Sequence, residues 1–163
     1  MQLLESFSET SLMIWVIESN YGYPIVLSLH AVGMALVIGI MLMFNLRVLG
    51  LVPSIPLSSV TRFFKVAWIG LAINLISGTL LFCGNYSAFL HNTAFLSKLS
   101  LLIAGSIGTW FLAKEVRNST VIIQPSPNEL ASKKAKIIAA ALILIWLSAI
   151  TAGRIVGYTS IPE

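Results

Sequence analysis

The sequence predicts an all-α integral membrane protein, an antiparallel bundle of four transmembrane helices with a short interfacial helix at its N-terminus. Three observations carry that reading. Hydrophobic residues make up 57% of the 163 and charged residues only 10%, against roughly 25% charged in an ordinary soluble domain. The apolar residues fall in four blocks, 24–49, 63–83, 95–113 and 137–156, each close to the ~20 residues that cross a bilayer as helix. The basic residues collect on one side of the map those blocks define, as topology signals do.

The elements follow in order, within one membrane domain over 1–163. The opening MQLLESFSETSLMIWVIESN lacks a positive n-region, and Glu5, Glu9 and Glu18 interrupt it, so it does not read as a signal peptide. Leu3, Phe7, Ile14 and Ile17 recur at roughly helical spacing. That predicts an interfacial helix over 1–20, ending at the turn-prone Asn20-Tyr-Gly-Tyr-Pro24. The first span leads into a loop with Pro53 and Pro56, and a Ser/Thr cluster that can cap span two. Span three is the shortest, with Lys98 and Lys114 at its ends expected to snorkel outward. Ser126-Pro-Asn-Glu129 reads as a capping box with Pro at the first helical position. Helix four would then start well before its apolar part, carrying Lys133, Lys134 and Lys136 into the headgroup region.

The formal charge of +4 is a matter of topology. Arg47, Arg62, Lys65, Lys114, Arg117, Lys133, Lys134 and Lys136 flank the two loops that must share a side, leaving Lys98 and Arg154 near the other. The positive-inside rule puts both loops in the cytoplasm and both termini outside, in the inner membrane of a bacterium. All four tyrosines then fall near the outer face, as an interfacial belt would. A nucleic-acid role is excluded by this distribution. Cys83 is the only cysteine, so no intrachain disulfide forms, and it reads as a small packing or membrane-facing residue.

Ionisable residues inside a membrane are costly, and a functional site is the first hypothesis for them. His30 lies roughly 9 Å inside the outer start of span one, six residues past Pro24. Lys98 opens span three, Arg154 and Tyr158 sit one turn apart at the end of span four, and His91 is in the outer loop. Both histidines, both outer cations and a tyrosine thus share a leaflet. Three chemistries fit: b-type haem with an imidazole on iron and cations at the propionates, a quinone or other amphipathic substrate, or a proton or anion relay. The plainer readings are a neutral His30 bonded to a neighbouring helix, a surface His91, snorkelling Lys98 and Arg154, and a belt Tyr158. Asn74, in mid-span between Gly70 and Gly78, is expected to bond across helices. Met34 and Met41 follow His30 on one face, but methionine in such a helix is ordinary packing rather than a copper site. No Ser-His-Asp set, carboxylate pair or phosphate loop is present, and no acidic residue lies in a span.

The segments LSLHAVGMALVIGIMLMFNLRVLGL, FLSKLSLL and LIWLSAITAGRIVGY resemble a group of bacterial four-helix inner-membrane proteins with a domain of unknown function. The matching positions are His30 and Gly33; Asn45, Leu46, Arg47, Leu49 and Gly50; Phe95 and Lys98; and Gly153, Arg154 and Tyr158. A looser similarity is to HemJ-type and copper-resistance D membrane proteins, which place a His early in a span. HemJ-type proteins also carry a Lys opening a later span. That resemblance implies haem b at His30, with Lys98 at the corresponding cation position. The chain lacks the L-P-R ending, the second span-three His and the N-E-x-P segment of HemJ-type proteins, so oxidase activity is not implied. Any second axial ligand would come from His91 or a partner chain.

The functional expectation is a haem b-binding electron-transfer or redox accessory protein, with His30 as axial ligand, Lys98 and Arg154 facing the propionates, and Tyr158 and His91 nearby. The alternatives are a cofactor-free accessory or assembly subunit of a larger membrane complex or homo-oligomer and, third, a small-solute carrier.

Overall fold

The structure is a computed structural model that describes residues 10–84, 86–90, 92–118 and 131–159. The described residues are helical with short turns: α1 (Ser11–Glu18), α2 (Gly22–Leu49), α3 (Leu57–Arg62), α4 (Phe64–Gly84), α5 (Tyr86–Leu90), α6 (Thr93–Asn118) and α7 (Lys133–Thr159). Four of these, α2, α4, α6 and α7, are long and apolar enough to cross a membrane.

Local chemistry sets the helix ends. The backbone N–H of Gly22 donates to Ser19 Oγ at 2.7 Å, satisfying one of the donors that a helix start leaves open. At the other end of α2, Gly50 adopts φ of 85°. Its N–H bonds the carbonyl of Arg47 at 3.0 Å and that of Leu51 bonds Leu46 at 3.1 Å. These two bonds form a Schellman closure, which needs a left-handed residue and therefore favours glycine. Asn92 caps α6, its Oδ1 accepting from the N–H groups of Ala94 and Phe95 at 3.0 and 3.2 Å. Ser132 caps α7 through the N–H of Ala135 at 3.1 Å.

By contacts the chain divides into two units, the described residues of Met1–Val37 with Val66–His91, and those of Ile38–Lys65 with Asn92–Glu163. In the first, the N-terminal half of α2 meets α4 through glycines. A methyl added at Gly33 would lie 2.8 Å from Asn74 N and from Gly70 O, and one at Gly70 would lie 2.7 Å from Leu36 Cβ. Contacts that rise along α2 as they fall along α4 make the pair antiparallel. In lipid there is no hydrophobic drive between helices, so small residues that let backbones approach supply the packing. Met13 and Val16 of α1 are buried in this unit.

In the second unit, α6 and α7 are antiparallel over their whole length. Trp146 covers Gly105 and Leu142 covers Gly108. Lys134 pairs with Glu115 at 3.5 Å at one end, and Asn92 Nδ2 donates to Thr159 Oγ1 at 2.9 Å at the other. The face of α7 that is buried carries Ala135, Ala139, Leu142, Trp146, Ala149 and Val156, a small-large alternation at helical spacing. Phe44 and Phe64 stack edge to face at 5.2 Å.

Measured against the sequence reading, the all-α class and four spans stand. Span three is not the shortest: α6 reaches Asn118 because Lys114 and Glu115 continue the helix. In α1 the buried pair is Met13 and Val16, while Ile14 and Ile17 stay exposed. The Ser126–Glu129 capping box and residues Leu3 and Phe7 lie outside the described residues, and the helical start found before the apolar part is Lys133. Cys83 is buried, as a packing residue is.

Candidate functional site

His30, Gly33 and Val37 share one stripe of α2, at spacings of three and four residues, and Gly70, Asn74 and Ser77 share one stripe of α4. Facing stripes place His30 against Ser77. Its Nδ1 lies 3.2 Å from Ser77 Oγ. The Ser77 hydroxyl spends its only proton on the backbone, donating to Ile73 O at 2.6 Å, with Asn74 O 3.3 Å away. With its proton there, Ser77 Oγ can accept in its contact with the ring. An imidazole protonated at Nδ1, with its lone pair on Nε2, is the tautomer this arrangement accommodates.

Asn74 secures the same crossing through the backbone. Its Nδ2 donates to His30 O at 3.1 Å and lies 3.8 Å from Met34 Sδ, so the cross-helix bond expected of Asn74 is present. Gly78 leaves room for the ring: a methyl there would sit 3.1 Å from His30 Cε1 and 3.4 Å from Nδ1. The imidazole is half-buried and held in one orientation by a hydroxyl, a carboxamide on its own carbonyl and a glycine. An open depression of about 330 Å³, lined by Ser28, Leu29 and Val32 with Tyr21, Pro24 and Ile25, runs along the opposite face of α2, away from the His30 stripe.

Three of the other sequence candidates lie in the second unit. Lys98 is half-buried in α6, in the second unit, seven residues and so two turns before Gly105 on the same face. The register of α6 on α7 sets it level with Gly153. Arg154 and Tyr158 are exposed, off the buried stripe of α7, and neither makes a side-chain hydrogen bond or ion pair with a described residue. His91 lies outside the described residues.

Sequence reasoning passed over Ser77, although its place three residues after Asn74 and beside Gly78 puts it on the face that carries both. It used Arg47 only as a topology charge and a position of the family pattern. The guanidinium proves to be 8% exposed, with Nε donating to the carbonyl of Ile55. Among the described residues no three His, Cys, Asp or Glu side chains gather as a metal centre would need. What the His30 arrangement offers is a single oriented imidazole with Nδ1 set against a hydroxyl.

Fold and site together define a multi-pass membrane protein with four helices able to span a bilayer. The chain belongs to a family of unknown function, DUF6644, whose model matches residues 4–159. No curated protein and no solved structure matches it.

Proposed function

We propose that the protein is a haem b-binding electron-transfer or redox accessory protein of the bacterial inner membrane, with both termini on the periplasmic side and the site near the outer leaflet. The observation that carries this reading is the contact of His30 Nδ1 with Ser77 Oγ. A haem-ligating histidine presents a neutral ring nitrogen and donates its other N–H to a fixed acceptor. Ser77 Oγ at 3.2 Å is such an acceptor, with its own proton already committed to Ile73 O. The donor chemistry at His30 thus fits a haem iron. When bound, the group would supply one-electron chemistry, tuned by ligand and surroundings.

The chain's own residues supply the rest. His30 would hold the cofactor, Ser77 Oγ would accept from its Nδ1–H, and Asn74 ties the α2 carbonyl of the same residue. In the second unit Lys98 and Arg154 are the cations available to an anionic group, with Tyr158 one turn from Arg154, and His91 would be the candidate second ligand. The test is the His30→Ala variant, purified beside the wild type from membranes. Loss of the Soret band with the fold retained supports the reading, and an unchanged haem spectrum sinks it.

A second reading has an observation of its own. The contacts that orient His30 also lock α2 to α4, which is what a cofactor-free accessory or assembly subunit would need. That reading expects co-purification with a larger complex or a homo-oligomer in mild detergent, and a colourless monodisperse monomer speaks against both readings.

A further inference from the structure

We propose that Arg47 is the centre of an anion site that takes a phosphate group at the basic end of α2, independently of any cofactor at His30. The guanidinium is always charged and presents five N–H donors in a plane. Arg47 is 8% exposed, yet the only hydrogen bond its side chain makes to a described residue is from Nε to the carbonyl of Ile55. Among the described residues no carboxylate lies within ion-pair distance of it, the one ion pair being Lys134 with Glu115.

The helix end does not meet this need. Cations near a helix C-terminus are favoured by its open carbonyls, but the Schellman closure has given the Leu46 and Arg47 carbonyls to Leu51 and Gly50. The Nη atoms of Arg47 are not among the fully buried, unpartnered side-chain atoms of the described residues, so the outer edge of the fork is within reach of a ligand. Nη1 and Nη2 form the edge of the fork left over once Nε is bound, the edge that pairs with two oxygens of a phosphate. Pro53 and Pro56, with φ fixed by their rings, bracket Ile55 and hold its carbonyl in place. Arg62 and Lys65, exposed and in the same unit, raise the local positive potential.

The position favours phosphate over a carboxylate. Arg47 lies in the last turn of an apolar helix, at the depth where lipid phosphates sit. The same chemistry is available from a lipid headgroup or from a free phosphate, and the experiment separates them.

The full-length protein in mild detergent is melted by its tryptophan fluorescence with added phosphatidylglycerol, or with inorganic phosphate against chloride at equal ionic strength. The wild-type midpoint should rise saturably with one of them. A rise with the lipid alone assigns a headgroup, and a rise with both assigns a free-phosphate site. Arg47→Lys keeps the charge and loses the fork, and should weaken the apparent affinity about tenfold or more. Arg62→Gln should weaken it less. No rise with either anion, or an equal rise in Arg47→Lys, overturns the proposal. So does a Glu129→Gln variant that uncovers the anion effect only once that carboxylate is gone, since Glu129 would then be the counter-ion.

Discussion

His30 Nδ1 lies 3.2 Å from Ser77 Oγ, whose own hydroxyl donates to Ile73 O at 2.6 Å. With that proton on the backbone of α4, a ring on α2 protonated at Nδ1 has an acceptor in place. Removing that acceptor should be felt at the ring before it is felt in the fold. Ser77→Ala is expected to cost about 0.5–1.5 kcal/mol, the range of cross-helix hydrogen bonds in membranes. It should also free the imidazole to rotate, broadening its NMR resonances. Thermal melts and histidine-selective labelling check both.

The close crossing of α2 on α4 makes a sharper forecast. Gly33→Ala would drive a methyl to 2.8 Å from backbone atoms of α4, where nothing yields without moving a helix. It is expected to cost about 1–3 kcal/mol as overpacking. Gly39→Ala on the same helix meets nothing within 4 Å and should be neutral or stabilising by up to about 1 kcal/mol, the helix-propensity gain. Paired melts in one detergent test the contrast, and equal effects would refute the packing described.

The α6–α7 face carries a similar pair. A methyl at Gly105 would lie 3.0 Å from the rigid Trp146 indole, whereas one at Gly108 would meet only the flexible tip of Leu142, at 2.6 Å. Gly105→Ala should therefore destabilise by more than Gly108→Ala, with the difference on the order of 1 kcal/mol.

Trp146 itself is 1% exposed, and its Nε1 has no hydrogen-bond partner among the described residues. Trp146→Phe removes that orphan donor while keeping most of the ring. It should cost far less than Trp146→Ala, for which about 3–5 kcal/mol is typical of a buried aromatic. Chemical denaturation of the two variants in mixed micelles checks the order.

The spans were legible because bilayer thickness imposes a length on any apolar helix, and the observed helices begin and end within a few residues of the apolar blocks. Helix ends were less so. Ser126 matches the capping box and Ser132, followed three residues later by Ala135, does not, yet Ser132 is the cap of the described helix. At the site, His30 and Asn74 stood out as polar residues in apolar runs, but Ser77 did not, because serine is common in such helices. Its meaning comes from the register of α2 on α4, a relation across 47 residues that periodicity in either helix does not reveal. The burial of Arg47 was not legible for a like reason: charge near a helix end reads as a topology signal, and burial depends on the loop that folds back to bring Ile55 over it.

The central claim rests on an absorption spectrum. Protein purified from bacterial membranes in mild detergent is measured oxidised and then dithionite-reduced. The account predicts a Soret band that shifts on reduction, with sharp α and β bands, in wild type and not in His30→Ala. A featureless visible spectrum in folded wild-type protein, unchanged after haem supplementation, would contradict it and leave the His30–Ser77 contact as helix packing.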